Sequence, residues 1–462
     1  MQAPLLYPLH GEAADADSAR LERTADSLRA APAVWVVAAF AASLASLGLV
    51  GGDALWLVSL GRQVAHGHLP GSVSYATAQS HGWRDVPALA ELLFWAAFHA
   101  FGGARGLVVV QVVAVAAAFG ALVRGLRRES TAGSAVAVAI VVLLGAPAAA
   151  LVTSVGALSL PFFSVLLVLL HAETRSPSRR IWWAVPLVAL WGNLHGGVLA
   201  GLGLLTCYLV VGRARREPLV ALGVLVGAGL ALCANPTLWH TPAYYGGVLH
   251  SEVARRGVQL WAPLGFGVVD LLLIAAFSVL GVIAARRLRL QLWEAVALAG
   301  LVAGTVHVSR NGVWLLFVVA YPAARALRVR GPQPGAYVVA AVLLTTAAVA
   351  LVVRGPRDLG ASGLANRAAS TGEPVLAEGI LGQEVVLAGG RVWIDNPIDA
   401  FTRTDQALYL DWLDGRPVGD AAVRHARYVL VAPLSRAGKR AAGDVRLMRV
   451  ARTAHAALYR VR

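Results

Sequence analysis

The sequence predicts an all-α polytopic membrane domain followed by a small C-terminal α/β domain. Three observations carry this. The chain is 58% hydrophobic and 14% charged, with a mean hydropathy of +0.66; a soluble protein would carry nearly twice that charge fraction. Several apolar stretches exceed the ~20 residues needed to cross hydrocarbon. Tight arginine clusters alternate along the chain with polar tips, as they would if the stretches folded back on themselves.

The basic clusters are Arg124/Arg127/Arg128, Arg175/Arg179/Arg180, Arg213/Arg215/Arg216, Arg286/Arg287/Arg289 and Arg325/Arg328/Arg330. Of the 40 Lys and Arg residues, 18 lie in the N-terminal tail and these five loops. Six lie at the opposite tips, and 16 lie in the last segment. Positive residues near spans stay in the cytoplasm, so the polar tips face outward. The formal charge of +15 is thus a topology signal. No basic helix interleaved with aromatics appears, which excludes nucleic acid as the expected partner.

Residues 1–31 hold Glu12, Asp15, Asp17, Glu22 and Asp26 against three arginines. A secretory leader starts basic, so the tail is expected to be cytoplasmic and the first span a retained anchor. Segment 32–123 reads as one span, a long outer loop and a return span. Within that loop, Asp53–His66 and Pro87–Phe101 carry apolar residues at helical spacing, predicting two interfacial helices in a structured loop over 53–104. Segments 131–172, 181–212 and 290–324 each read as a hairpin. The 32 residues of 181–212 would make a helix of roughly 48 Å, too long for a core of about 30 Å. Segment 218–285 repeats the form of the first, with an outer loop from about Asn235 to Gly265. A last span near 336–353 brings the count to about 11, in a membrane domain over 32–353. Trp182, Trp183, Trp191, Trp261, Trp293 and Trp314 fall near the expected span ends, as an aromatic belt would place them.

Residues 354–462 change character. They gain 11 acidic residues and alternate short β runs with amphipathic stretches. Strands are expected at Val375–Ala377, Val392–Ile394, Tyr428–Val431, near Val445–Val450 and at Ala456–Val461. Helices are expected at Gly382–Ala388, Thr404–Leu413 and Ser435–Ala442. This predicts a small extracytoplasmic α/β domain. Cys207 and Cys233 lie in apolar runs with neither disulfide nor metal spacing.

Ionisable groups at membrane depth are costly and by default mark function. The outer tips gather Asp53, Asp85 and Glu91, then Asn193-Leu194-His195-Gly196-Gly197, Asn235-Pro236, and His307-Val308-Ser309-Arg310-Asn311. Asp53 has two readings: a carboxylate that takes or orients a proton, or a cap on the helix it begins. Arg310 can clamp a phosphate through two parallel bonds or snorkel to lipid head groups. Asn193 and His195 can hydrogen-bond a ligand or satisfy their turn. Glu91, on a largely apolar helix, favours a specific partner, and Asp85 flanks the same helix start. His66-Gly67-His68 is a weak metal signal in a Gly/Pro-rich loop. No phosphate-binding glycine loop or zinc-protease motif is present.

At this point the chain resembles the GT-C glycosyltransferase superfamily, more closely its substrate-unassigned bacterial members and more distantly protein O-mannosyltransferases and aminoarabinose transferases. The matching pieces are Asp53-Ala54-Leu55-Trp56 with Gly61 and Pro70, the Trp83 to Glu91 segment, Trp191-Gly192-Asn193-Leu194-His195-Gly196, Asn235-Pro236 and Arg310-Asn311. In the last segment, Val392-Trp393-Ile394-Asp395-Asn396-Pro397-Ile398-Asp399 resembles a strand that ends in an Asp-Gly-Arg-x-Asp pattern. Leu57-Val58-Ser59 stands where members usually carry a histidine, and Asn396-Pro397 stands where Gly-Arg is expected.

The resemblance implies an integral membrane enzyme of the bacterial plasma (inner) membrane. It would move a sugar from a polyprenyl-phosphate donor to an extracytoplasmic glycan, lipid or protein acceptor, with membrane lipid as a further partner. Asp53, Asp85 and Glu91 are then the catalytic candidates; Asn193, His195, His307, Arg310 and Asn311 are the substrate-binding candidates. No cofactor is assigned, and a divalent ion on Asp53 and Glu91 is left open. The alternative is a non-enzymatic carrier of lipid-linked glycans or an envelope-assembly scaffold. Transporters tend to show broken helices in two repeated halves with midplane sites, whereas here the polar residues gather at the tips.

Overall fold

A computed structural model describes residues 31–80, 82–287, 290–355 and 362–462. The expected tail over 1–31, apart from Ala31, and Arg289 of the fourth basic cluster lie outside the described residues. So does the start of the last segment, 356–361.

Every apolar stretch expected to span is helical. The helices are α1 (Ala31–Ser46), α4 (Ala104–Leu126), α5 (Ala132–Gly145), α7 (Ser159–Arg175) and α8 (Ala184–Gly192). They continue with α9 (Val198–Cys207, extended by a π turn to Arg213), α10 (Pro218–Leu232), α13 (Val268–Ala285), α14 (Leu292–His307), α15 (Gly312–Ala326) and α16 (Pro334–Arg354). Four helical stretches are long and apolar enough to cross a membrane, namely Ala104–Leu126, Val155–Arg175, Val268–Ala285 and Pro334–Arg354. The chain is therefore built as a multi-pass membrane protein. Their packing differs. The first two are mostly buried within the bundle, whereas Val268–Ala285 and Pro334–Arg354 expose most of their surface.

The two interfacial helices form as expected, α2 over Gly52–Ala65 and α3 over Ala88–Ala100. They pack closely because position 61 is glycine: a Cβ there would lie 2.1 Å from the Glu91 carbonyl oxygen. Where one simple reversal was expected near Gly145–Ser154, the structure has a short helix α6 (Pro147–Leu151) and a strand β2 (Val152–Thr153). That strand pairs in parallel with β1 (Leu49–Val50), with Leu49 opposite Val152 and Val50 opposite Thr153. The pairing ties the start of α2 to the entry of α7. No local pattern announces it, because each strand is two residues long.

The outer loop after α10 is more ordered than its sequence suggested. It holds α11 (Thr241–Leu249), α12 (Glu252–Arg256) and a 3₁₀ turn over Gln259–Trp261. The tryptophan belt needs correction. Trp182 and Trp183 are exposed, but Trp191, Trp293 and Trp314 are buried core side chains. Their indoles fill space between helices, and the Trp293 N–H donates to Thr174.

The C-terminal segment adds α17 (Ser362–Ala369), β3 (Pro374–Ala377), α18 (Ile380–Leu387), β4 (Arg391–Val392), α19 (Arg403–Leu413), β5 (Tyr428–Val431), α20 (Arg436–Gly443), β6 (Leu447–Arg452) and β7 (Ala457–Val461). The five strands form one sheet in the order β4-β3-β5-β7-β6. β4, β3 and β5 are parallel, and the β5–β7 and β7–β6 pairs are antiparallel. A strand forms near each of the five expected positions; that expected at Val392–Ile394 is found at Arg391–Val392 and shares only Val392 with it.

This sheet does not stand apart from the membrane bundle. Residues Tyr75–Ala78 of the first outer loop run along β4, with Val392 N–H donating to the Tyr75 carbonyl (3.0 Å) and Thr77 N–H to the Val392 carbonyl (2.9 Å). α18 packs on α2. One apolar core runs from Ala54, Leu57 and Leu60 through Trp83 and Phe94 into Val375, Val385, Trp393 and Tyr409. The last segment is thereby a roof over the first outer loop.

Candidate active site beneath the C-terminal sheet

The β1–β2 pairing sets Asp53 in the first turn of α2, beside the turn that leads into α7. The helix is not capped by a side chain: Gly51 is the N-cap, and its own N–H donates to the Thr153 carbonyl at 2.9 Å. The capping reading of Asp53 therefore lacks its bond. Instead the carboxylate accepts from the Asn396 amide at 3.3 Å, across 343 positions of sequence. Burial raises its pKa above the usual carboxylate value; the nearby Arg310 guanidinium and a bond from Trp56 oppose that rise.

Asn396 lies in the roof, four residues after the end of β4, and is held by bonds on both sides. Its backbone carbonyl accepts from the Tyr75 hydroxyl (2.5 Å), and its N–H donates to Asp395 (2.8 Å). Asp395 is buried; burial lifts its carboxyl to about 7, partly offset by the Asn396 N–H. Burial also raises Asp399, three residues further on. The roof thus brings Asp395, which the sequence placed in a different domain, within electrostatic reach of Asp53.

Arg310 lies in the 3₁₀ turn between α14 and α15, with its guanidinium carbon 4.2 Å above the Trp261 ring. A cation over an indole face is attracted by the ring quadrupole and oriented by it. Among the described residues Arg310 has no ion pair within 4 Å, so its fork of donors stays free for a ligand. Its flanking candidates behave differently. The Asn311 amide donates to the Gly304 carbonyl (3.0 Å) and closes the α14–α15 reversal. His307 is the exposed last residue of α14.

His195 sits in the reversal between α8 and α9. Its Nδ1 lies 2.8 Å from the Ser159 hydroxyl and accepts from the Gly197 N–H at 3.0 Å. Burial, reinforced by the positive Arg310, pushes its pKa down to about 4, so the ring is neutral at physiological pH. Asn193 is occupied in holding the fold: its amide donates to the Ala189 carbonyl (2.8 Å) and the Ala234 carbonyl (2.6 Å). Asn235 likewise serves its own turn, bonding Leu232, Thr237 and Thr241.

Asp85 and Glu91 meet each other. Both are buried, at 3% and 0% exposure, and no cation pairs with either among the described residues. Burial raises Asp85 to about 6. Burial and the Asp85 charge raise Glu91 well above its usual value. Two carboxyls so placed resist ionising together. Among the described residues no group of three or more His, Cys, Asp or Glu is arranged to hold a metal ion. The His66 ring is bonded to the Arg62 carbonyl of its own helix.

The structure brings together Asp53, His195 and Arg310 from the candidate set and adds Asn396, Tyr75, Trp261 and Ser159. Asn396 was legible as part of a motif but not as a neighbour of Asp53. Ser159 carried no signal of its own, and Trp261 only that of an aromatic belt.

No protein-family model matches the chain, and no curated protein matches it. Solved structures do. ArnT from Cupriavidus metallidurans in the apo state is similar at a TM-score of 0.51 and 14% identity, over 96% of this chain and 98% of that one. The same protein bound to undecaprenyl phosphate gives 0.50 and 16%, over 94% and 97%. The arabinofuranosyltransferase AftD from Mycobacteria, in a single-particle structure, gives 0.49 and 14%, over 95% of this chain and 41% of that one. Shared architecture over nearly the full length of both chains, at such low identity, is a statement about fold. This chain has the fold seen in ArnT.

Proposed function

We propose that this protein is a membrane glycosyltransferase that takes a sugar from a polyprenyl-phosphate donor at the outer face and passes it to an extracytoplasmic acceptor. The observation that carries the reading is the trio of Asp53, Arg310 and His195 under the C-terminal sheet: one carboxylate and one guanidinium near each other, neither paired to a neighbour, beside a neutral imidazole. ArnT, whose fold this is, has been seen with undecaprenyl phosphate bound, which supports a lipid-phosphate ligand here.

In this reading the acceptor hydroxyl attacks the anomeric carbon while the bond from that carbon to the phosphate oxygen breaks. Asp53 takes the hydroxyl proton or orients it. The departing phosphate gains negative charge, which the Arg310 fork and the His195 N–H stabilise where it develops. Asn396 holds the Asp53 carboxylate on the side away from the substrate. Asp85 and Glu91, buried at the start of α3 with raised pKa values, are poised to hold protons rather than charge. Asn193 and Asn311 shape the two reversals that carry His195 and Arg310, and His307 stands at the rim. Residues 32–353 form the membrane domain of about 11 spans, 1–31 a cytoplasmic tail, and 354–462 the extracytoplasmic roof that selects the acceptor. A bacterial plasma membrane is the compartment in which such a donor and orientation coincide.

Two experiments test this. Purified protein is incubated with a panel of radiolabelled polyprenyl-phosphate sugars and envelope acceptors; release of free polyprenyl phosphate with at least one donor is expected. Failure with every donor, by a protein that still binds undecaprenyl phosphate, favours the carrier or scaffold reading. For orientation, Cys207 and Cys233 are replaced and single cysteines are placed at Ser370 or Ser176. An impermeant thiol reagent on intact cells should label the first and spare the second. Reversed labelling overturns the outer-face site.

A further inference from the structure

The contacts around His195 fix more than its position. Trp191 and His195 are four residues apart at the end of α8, and the His195 N–H donates to the Trp191 carbonyl (3.1 Å). The Trp191 side chain is fully buried, and its indole N–H donates to the Ser159 hydroxyl oxygen at 2.7 Å. Gly201 makes room for that indole, since a Cβ there would sit 2.3 Å from the ring. Ser159, also fully buried, opens α7 and lies 2.8 Å from His195 Nδ1. The Gly197 backbone N–H reaches the same nitrogen at 3.0 Å.

The direction of this chain follows from the inventory of donors. An indole nitrogen can only donate. Ser159 therefore accepts from Trp191 and has its own hydrogen left for His195. The Gly197 N–H also needs a lone pair on Nδ1; a proton on that nitrogen would face two donors. Nδ1 is thus the acceptor of the ring, and in the neutral imidazole the proton must sit on Nε2. The Nε2 edge faces the turn over Val155–Leu158, near Gly156, and Nε2 has no protein partner among the described residues. Each bond in the sequence Trp191 to Ser159 to His195 polarises the next in the same sense, which strengthens the final donor. Gly197 is needed for this arrangement, because a Cβ there would lie 2.6 Å from the Ser159 hydroxyl oxygen and 2.9 Å from His195 Nδ1.

We propose that Ser159, driven by Trp191 and assisted by Gly197, is a positioning residue that locks His195 as a neutral Nε2–H hydrogen-bond donor, so that His195 holds an anionic oxygen of the ligand and does not act as a base. The inference rests on the glycosyltransferase reading for the identity of that oxygen, a phosphate of the lipid donor. The tautomer itself does not depend on it.

The test uses the full chain in lipid nanodiscs with 15N-labelled histidine, and His195→Gln to assign the His195 signals by difference. The expected spectrum at neutral pH shows an unprotonated Nδ1 and a protonated Nε2 in the absence of any ligand. A proton on Nδ1, or an imidazolium, overturns the proposal whatever the enzyme does. Trp191→Phe keeps the shape but frees the Ser159 hydroxyl to turn, and a mixture of tautomers is expected. Ser159→Ala, if it folds, should give the same mixture, and an unchanged single Nε2–H tautomer in both variants removes Ser159 from the role. Binding of undecaprenyl phosphate supplies the third readout. Glutamine can donate from its amide as Nε2–H does, so His195→Gln should keep affinity within about 10-fold, whereas His195→Glu should lose on the order of 100-fold through charge repulsion. Equal affinity for the Gln and Glu variants refutes the donor role. If no protein binds the lipid while the wild-type tautomer is as expected, the fault lies with the proposed substrate and not with the positioning chain.

Discussion

The end of the bundle carrying the arginine clusters and the candidate site at its other end treat buried charge in opposite ways. Among the described residues, every buried carboxylate at the arginine-cluster end has a cation. Glu294, fully buried at the start of α14, accepts two bonds from Arg325 (2.8 and 2.6 Å) and one from the Gln291 N–H (2.8 Å). Glu129 joins Arg325 (3.2 Å), Arg175 and His171, and Glu173 joins Arg213 (3.1 Å). His171 is stacked flat on Tyr321, with ring centroids 3.6 Å apart. At the other end Asp53 and Arg310 stand near each other without pairing, and Asp85 and Glu91 are like charges in contact. A buried charge that is paired and bonded serves the fold. Strongly displaced acids with no pairing cation mark a candidate functional site. One chain thus builds a lock at one end and a candidate site at the other from the same residue types.

The sharpest way to break this contrast is to neutralise one carboxylate from each end. Asp53→Asn keeps the shape and removes the charge. Transfer of labelled sugar should fall by about 10²–10⁴-fold, with the melting temperature unchanged or raised. Near-normal turnover would assign Asp53 to structure. Glu294→Gln should do the reverse. It leaves Arg325 with a reduced set of partners in a buried network, which costs about 3–5 kcal/mol of stability. Thermal unfolding in detergent reads this directly, and an unchanged melting temperature would show that the inner network is not a lock.

Arg310 gives a smaller and more specific effect. Arg310→Lys keeps the charge but loses the planar two-point fork, so undecaprenyl phosphate should bind about 10-fold more weakly, and Arg310→Ala more weakly still. The positive charge of Arg310 favours the ionised form of Asp53. Its removal should raise the Asp53 pKa further and move the acid limb of the pH–rate profile of Arg310→Ala to higher pH. A limb that stays in place would mean that Asp53 is not the titrating base.

The smallest expected effect belongs to the Asp85–Glu91 pair. Both groups bind protons more tightly in the folded chain than in the unfolded one. Between about pH 4 and their folded values the native state therefore holds more protons, and stability falls as pH rises. Asp85→Asn removes the like-charge conflict. It should stabilise the protein by on the order of 1–3 kcal/mol at pH 8 and by less at pH 5. A stability gain that is the same at both pH values would argue against the like-charge conflict.

How much of this was legible in the sequence depends on the range of the interaction. Composition and the spacing of arginines determined the apolar helices, the two helices of the first outer loop and the strands of the last segment. These follow from periodicities of 3.6 and 2 that each segment carries within itself. The Asp53, His195 and Arg310 candidates were readable because ionisable groups between apolar spans stand out against their surroundings. The tertiary structure alone decided that Asn396 of the roof reaches Asp53, that Trp261 lies under Arg310, and that Trp191 is a buried donor to Ser159 and not a belt residue. It also separated candidates by what they touch: Asn193 and Asn311 are bonded to backbone carbonyls, while Arg310 is not. The physical reason is that these are contacts between chain segments tens to hundreds of residues apart. A two-residue pairing such as Leu49–Val50 with Val152–Thr153 leaves no periodic trace, yet it is what carries Asp53 to the side of the bundle where His195 and Arg310 wait.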